Sequence, residues 1–213
     1  MLVINRDMEK GGRMKRSWVI GLIILLVMAG CGKDSSSGPE PMTAEDYVNQ
    51  GWDLYEAASF NDALDSFSEA AGSDEWGREA AVGTAWAYLR LDNTASAKLS
   101  FTSAAALGSG TDLRINVGLG AIALMENNEA EAISQLSAHR TGTDGWVHGH
   151  DDSVDAVDIH NILAEAYIME GTAGNEGGSA VNDPDGWGQV KKALALDPTD
   201  EKALSLQSLL RGE

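Results

Sequence analysis

Cysteine and proline are both scarce in this sequence. A single cysteine, Cys31, occurs among 213 residues, so no disulfide can form within the chain. Only four prolines are present and 43% of the residues are hydrophobic, which is typical of a globular chain and not of a disordered one. A chain of this length can form one domain or two small ones.

Basic side chains are also few. The sequence has 15 Lys and Arg against 33 Asp and Glu, and its formal net charge is -18. A surface this negative repels phosphate backbones, so we expect no nucleic-acid binding. The charge favours basic or neutral partners, or it only keeps the protein soluble, and the second interpretation is the more common one.

Motifs for catalysis are missing as well. The sequence contains no nucleophile–base pattern, no phosphate-binding loop and no HExxH metal motif. We therefore expect a protein that is not an enzyme and that uses no cofactor. The acidic segment 182–186 lacks the ligand spacing of an EF-hand, and Asp185 is predicted to cap a helix instead.

The hydrophobic run near the N-terminus is too short to cross a bilayer. It covers twelve residues, from Trp18 to Ala29, and it follows the basic residues Arg13, Lys15 and Arg16. A membrane-spanning helix needs about 20 residues, so this run is typical of a signal peptide.

The run ends at Met28-Ala29-Gly30-Cys31, which resembles the lipobox of bacterial lipoproteins. The resemblance implies a signal peptide over residues 1–30, a lipid on Cys31, and stable membrane anchoring by its acyl chains. Because Gly32 rather than Asp follows the cysteine, it also implies sorting to the outer membrane, facing the periplasm. The alternative is an ordinary cleaved signal or an N-terminal membrane anchor with an incidental cysteine. The Ser-, Gly- and Pro-containing residues 31–42 predict a flexible tether.

From residue 43 onward the sequence repeats itself with a fixed period. The recurrent pairs, each 34 residues apart, are Ala63 and Ala97, Phe67 and Phe101, Ala70 and Ala104, and Trp52 and Trp86. A period in this range is typical of stacked supersecondary units, none of which can bury its apolar face alone.

The repeated residues also form a recognisable pattern. In the first unit it consists of Tyr47, Gly51, Leu54, Ala63, Phe67 and Ala70. The pattern resembles the tetratricopeptide repeat (TPR), a pair of antiparallel helices with small residues where they cross. The resemblance covers most of residues 44–198. It implies an all-α, TPR-like solenoid over residues 43–213, with about four helix pairs and a C-terminal capping helix.

Hydrophobic periodicity and capping residues predict nine helices in this region. Their predicted bounds are 44–58, 60–71, 75–91, 94–107, 113–126, 129–138, 153–170, 187–196 and 199–210. Two glycine-rich polar inserts, 139–152 and 171–185, interrupt the spacing. We expect Trp146 and Trp187 to anchor these inserts on the helices.

Solenoids of this family bind through a groove lined by the first helix of each pair. In the first predicted helix, Val48, Trp52 and Tyr55 share a face opposite the residues that meet the paired helix. With their equivalents in later units, the predicted groove residues are Val48, Trp52, Tyr55, Val82, Trp86, Leu89, Val117, Leu124 and Ile168. Such a groove fits a hydrophobic peptide or helix. The alternative is that the superhelix closes on itself and these residues are core.

All four histidines lie in or beside the first insert, among acidic residues. His148, His150 and Asp151 are weak candidates for binding zinc or another transition metal. Their spacing matches no established metal motif, so no metal site is expected.

The expected function is that of a membrane-anchored scaffold or adaptor for protein–protein interaction in the bacterial cell envelope, with assembly of an envelope complex as one such role. Its expected partners are a protein or peptide of the envelope and, through the N-terminal lipid, the membrane itself. A TPR motif identifies a fold and not a partner. The alternative is a small-ligand or metal-binding lipoprotein that uses the His/Asp-rich insert.

Overall fold

The computed structural model describes residues 40–109 and 111–213. The predicted signal peptide, Cys31 and most of the predicted tether lie outside the described residues. Within the described ranges the chain is built mainly from nine α-helices, which confirms the predicted all-α class at that level. No helix in those ranges is long and apolar enough to cross a membrane.

The helix positions follow the sequence prediction closely. The helices are α1 (Ala44–Glu56), α2 (Phe60–Ala70), α3 (Gly77–Arg90), α4 (Thr94–Ala106), α5 (Leu113–Met125), α6 (Glu129–Leu136), α7 (Ala156–Met169), α8 (Gly186–Leu196) and α9 (Glu201–Arg211), with a 3₁₀ turn at Ser137–His139. Each predicted boundary lies within three residues of the observed one.

Side-chain caps start several of these helices. Thr43 and Asp46 form a capping box at α1, in which the Thr43 amide donates to Asp46 Oδ2 at 2.8 Å. Asp185 caps α8 by accepting from the Gly188 amide at 2.7 Å. This confirms the prediction that the acidic residues before α8 end in a helix cap.

One type of turn joins the two helices of each of the first three pairs. Ala58, Asp92 and Asn127 follow α1, α3 and α5, and their φ angles are 59°, 57° and 54°. The next amide then donates to a carbonyl five residues back, as Ser59 does to Leu54 at 2.9 Å. This is the hydrogen bond of a Schellman motif. The sequence period is therefore repeated in the backbone.

The recurrent phenylalanines pack where helices approach each other closely. Phe67 of α2 is fully buried between Gly51 of α1 and Gly83 of α3. Phe101 of α4 lies against Gly118 of α5 in the same way. A β-carbon at any of these glycines would overlap the facing ring, so the close approach requires glycine.

Helix contacts follow chain order. Each helix packs on the next one along the chain, and α1, α3, α5 and α7 also contact one another in series. These four helices therefore form one row. At the C-terminal end, α9 packs on α7 and α8, where Ala164, Val190 and Leu206 form a small apolar cluster.

The first insert, predicted as a polar loop, contains two short β-strands, and the second of them covers the first residues of the helix predicted over 153–170. The strands β1 (Val147–His148) and β2 (Asp151–Asp155) pair in an antiparallel sheet, and β2 leads directly into α7. We call residues 147–155 the hairpin. Such short strands carry little sequence signal, because their pairing depends on contacts outside the segment.

Both predicted anchor tryptophans contact the helical body. Trp146 is half-buried and packs against the main core. Trp187 is buried near the start of α8, and the guanidinium carbon of Arg211 lies 6.0 Å from its ring centroid.

Candidate functional site

The predicted groove residues are not open to solvent. Trp52 is 3% exposed and Trp86 is fully buried. Five other groove residues are also buried: Val48, Tyr55, Val82, Val117 and Leu124. The remaining two, Leu89 and Ile168, are half-buried. The prediction of an open groove was therefore wrong, and the alternative that these residues are core agrees with their burial.

The physical reasons for this correction are that the helices of the row pack on one another and that side chains of the hairpin reach Trp52, Tyr55 and Trp86. The hairpin's His148 and His150 rings contact Trp52, and His148 also contacts Trp86. Any segment that covers exposed apolar side chains stabilises the fold by removing them from water. Here that segment is the chain's own first insert. We call the surface formed by Trp52, Tyr55, Trp86 and Arg90 the indole face.

His148 is the most deeply placed hairpin side chain. Its ring centroid lies 4.6 Å from that of Trp86 and 5.8 Å from that of Trp52, both in edge-to-face geometry. Burial lowers the pKa of His148 to about 4, because the charged imidazolium is poorly solvated there. The ring is therefore neutral at pH 7.

The hydrogen bonds of His148 determine which nitrogen carries the proton. Its Nδ1 accepts from the His150 amide at 3.2 Å, so the neutral ring carries its proton on Nε2. Within the described part of the chain, neither this N–H nor the buried Trp86 Nε1–H has a hydrogen-bond acceptor. Two buried donors without partners destabilise this contact by about 1–3 kcal/mol each.

His150 lies nearer the surface and stacks on the first indole. Its ring is 4.1 Å from the Trp52 ring at an interplanar angle of 9°. Its Nδ1 is 2.9 Å from Glu56 Oε1 at the end of α1. The indole face thus holds one imidazole at an indole edge and another flat against an indole.

The Asp151 carboxylate binds the polar end of the indole face. Its Oδ2 accepts from Tyr55 Oη at 2.7 Å and from Arg90, whose Nε is 3.0 Å away. Its Oδ1 accepts from the Ser153 hydroxyl at 2.6 Å. Burial alone would raise the pKa of Asp151, but the hydrogen bonds from Ser153 and Tyr55 and the Arg90 charge outweigh it and lower the pKa.

The Glu79 carboxylate orients the Trp52 ring through the indole nitrogen. The indole Nε1 donates to Glu79 Oε1 at 3.1 Å, and Arg114 binds both carboxylate oxygens of Glu79 at 2.6 and 2.8 Å. Burial would raise the pKa of Glu79, but its hydrogen bonds with Arg114 hold it below the usual value. Trp52 is thus oriented by a polar contact as well as by packing.

The weak metal candidates do not form a metal site. The His148 and His150 ring centroids are 6.3 Å apart, and the Asp151 carboxylate is occupied by Tyr55 and Arg90. Across residues 40–109 and 111–213, no group of three His, Cys, Asp or Glu side chains could hold a metal ion. The two hairpin histidines pack against the Trp52 and Trp86 rings instead.

Sequence reasoning missed the polar half of the site. Tyr55 was predicted as an apolar groove residue, whereas its hydroxyl binds a carboxylate. Arg90, Glu79 and Arg114 were not predicted at all. No local pattern marks these residues, because their contacts with Trp52, Asp151 and one another join positions 27, 61 and 35 residues apart.

Comparison with protein-family models gives no match, and comparison with curated proteins gives none either. The lipoprotein and TPR resemblances therefore rest on the residues that carry them.

Proposed function

We propose that this protein is a lipid-anchored, non-catalytic scaffold of the bacterial cell envelope, whose TPR-like helical solenoid binds a protein or peptide partner on the indole face in place of the hairpin. The observation that carries the proposal is the row formed by α1, α3, α5 and α7, with Trp52 and Trp86 at equivalent positions in it. In this proposal the four helix pairs are the repeats, and α9 is the capping helix.

The repeated local geometry supports the solenoid. Three successive helix pairs share the left-handed turn residue at Ala58, Asp92 and Asn127. Two successive phenylalanines also meet glycines of the neighbouring pair. Units that pack mainly on their neighbours and repeat their own contacts are the defining feature of solenoid proteins.

The character of the indole face supports binding of a polypeptide. Indole rings and an arginine are the side chains that most often dominate protein interfaces. In this structure they already hold an extended segment, the hairpin, through ring contacts and a bound carboxylate. A face that accommodates one extended segment has the dimensions to accommodate another.

The anchor is tested by replacing Cys31 with serine and following the protein through membrane fractionation. We expect the unaltered protein in the membrane fraction with incorporated labelled palmitate, and the C31S variant released without label. A C31S variant that stays in the membrane fraction would contradict lipid anchoring and favour an uncleaved N-terminal anchor.

The partner surface is tested by site-specific photocrosslinking in intact cells. A photoreactive residue replaces the exposed Glu56 beside the indole face, and the matched control replaces the exposed Glu69 on α2. We expect a discrete adduct from position 56 that is absent at position 69 and lost in C31S. Equal labelling at both positions would argue against a specific partner on the indole face.

A further inference from the structure

The hairpin occupies the indole face in the manner of a bound peptide. Its His148 ring contacts both indoles, and three residues later its Asp151 carboxylate binds Tyr55 and Arg90. A ring and an acid are thus presented to two separate subsites. Neither His148 nor Asp151 belongs to a repeat helix.

The hairpin fits this face imperfectly. The Nε2–H of His148 and the Nε1–H of Trp86 are both buried, and neither has an acceptor within the described ranges. Each buried donor without an acceptor lowers the equilibrium constant for hairpin binding by roughly ten-fold. The helix crossings, which are formed by apolar rings against glycine, carry no such cost.

The pairing within the hairpin is also weak, although Val154 near the end of its second strand is buried in the main core. Strand β1 has two residues, and its pairing with β2 is irregular between Val147 and His148. At the base of the hairpin, the Ala156 amide donates to the Trp146 carbonyl at 3.0 Å. A two-stranded sheet of this size is not stable by itself. The segment before it contains Gly142 in a left-handed conformation and the exposed Gly145, which permit it to move.

We propose that residues 147–153 are a displaceable internal ligand of the indole face, and that the partner replacing them is an extended segment that presents a flat ring followed three residues later by a carboxylate. The inference rests on the proposed function, since it describes how the same face is regulated. The partner and the hairpin cannot occupy the indole face at the same time. The partner must therefore bind this face tightly enough to displace the hairpin.

The charges of the face determine the rest of the partner's chemistry. A segment without an acid would leave the Arg90 guanidinium without the carboxylate that it now binds. The chain as a whole carries a formal net charge of -18, so a strongly acidic segment would be repelled at long range. The partner segment is therefore neutral or basic apart from one acid.

The first test measures opening of the hairpin in the unaltered protein by native-state hydrogen exchange at increasing urea. We expect the Ala156 amide to exchange at least 100-fold faster than those of Ile122 and Ala123 in α5, with a weaker dependence on urea. Equal rates with the same urea dependence would mean that the hairpin opens only when the whole protein unfolds. That result would overturn the proposal without reference to any variant.

The second test supplies the hairpin as a separate peptide. Residues 145–152 are replaced by a Gly/Ser linker of equal length, and a synthetic peptide of residues 146–154 is titrated against this variant and against the intact protein. We expect at least ten-fold tighter binding to the linker variant, because the intact protein contains its own competitor. A linker variant that retains its helical circular dichroism and binds no peptide would overturn the proposal.

Peptide variants identify the recognised groups. Asp151→Asn or His148→Ala in the peptide should weaken binding at least ten-fold, whereas Asp152→Asn should leave it unchanged, because Asp152 is exposed. Equal effects at positions 151 and 152 would refute carboxylate recognition by Arg90. Peptide binding without a photocrosslinked cellular partner would support displacement of the hairpin but count against the scaffold function and its partner. A crosslinked partner without peptide binding would support the scaffold function and overturn the displaceable hairpin.

Discussion

The helix crossings and the indole face both contain aromatic residues that recur with the same 34-residue period, but they are completed in different ways. At the crossings, Phe67 packs against Gly51 and Gly83, all of which belong to repeat helices. On the indole face, Trp52 and Trp86 are covered by the hairpin, which interrupts the repeats. The first contact is apolar and complete, whereas the second includes ions and two buried donors without acceptors.

The difference shows what a repeat pattern specifies. It specifies the contacts between neighbouring units, because a ring of one unit packs on a glycine of the next, as Phe67 does on Gly83 and Phe101 on Gly118. It does not specify what covers an apolar face on the row of first helices. That face is filled by whichever segment reaches it, and the contact is less well satisfied because the segment follows no repeat.

The largest effect is expected at a crossing. Phe67→Ala should lower the free energy of unfolding by about 3–5 kcal/mol, because it removes a fully buried ring and leaves a cavity between three helices. Urea unfolding followed by circular dichroism measures this. The matched control is Leu99→Ala, where a side chain on α4 that is 74% exposed should change stability by less than about 0.5 kcal/mol. Similar losses of unfolding free energy from both variants would contradict the prediction that the crossings contribute more to stability than the helix surface does.

Loss of the acid on the indole face should have a smaller effect. Asp151→Ala should lower the free energy of unfolding by about 2–3 kcal/mol, because Arg90 and Tyr55 lose their common partner. The expected loss is below that of a fully buried pair, since the Arg90 side chain is 21% exposed. Asp152→Ala is the control and should be neutral. Adding Arg90→Met to Asp151→Ala should restore part of the lost free energy of unfolding. If the losses of the two single variants simply add in the double variant, the two side chains do not interact.

The third prediction concerns acid pH. His148 has a pKa of about 4 in the folded protein and about 6.5 when unfolded, so below pH 6.5 the unfolded chain binds more protons. Stability should therefore fall by about 2 kcal/mol between pH 7.5 and pH 5, and this contribution should level off below pH 4. The Asp151 and Glu79 carboxylates oppose the lowering, whereas Arg114 and His150 add to it.

The pH effect is measured as the difference between the unaltered protein and His148→Leu. Desolvation also lowers the pKa values of the half-buried His139 and the buried His160, and both remain in the variant, so their effects cancel in the difference. The variant should lose the part of the acid destabilisation that comes from His148. Parallel stability curves for the two proteins would show that His148 is not buried as a neutral ring.

The smallest effect is expected at a turn of the repeat region. Ala58 has a φ of 59°, which costs an L-alanine more than it costs glycine. Ala58→Gly should therefore raise the free energy of unfolding by about 0.5–1 kcal/mol in urea unfolding. Its neighbour Ala57 has a φ of -80°, so Ala57→Gly should give no gain. A gain at position 57 and none at position 58 would contradict the turn geometry.

Much of the helical framework could be predicted from the sequence because its signals are local. Asp185 was predicted as a helix cap, and the predicted bounds left Asp92-Asn93 and Asn127-Asn128 between consecutive helices. Capping and turn preferences depend on residues a few positions apart, so no knowledge of the tertiary structure was needed. The spacing of Phe67 and Phe101 likewise follows from the period.

The candidate site could be predicted only in part. Trp52 and Trp86 were correctly placed on one face of the first helices, but their exposure was predicted wrongly. The bond between Tyr55 and Asp151 joins residues 96 positions apart, and the pair of Arg90 and Asp151 joins residues 61 positions apart. Neither separation is a multiple of the repeat, so periodicity could not reveal them.

From residue 43 onward, the sequence by itself determined the approximate positions of the described helices and the 34-residue recurrence of Phe67 and Trp52, because these depend on local preference or on a constant spacing. Only the tertiary structure decided that the hairpin covers the indole face, that Arg90 binds Asp151, and that His148 is buried as a neutral ring. The physical reason is that the covering of an apolar face is non-directional: any segment of suitable length stabilises it, and only the folded chain shows which segment does so.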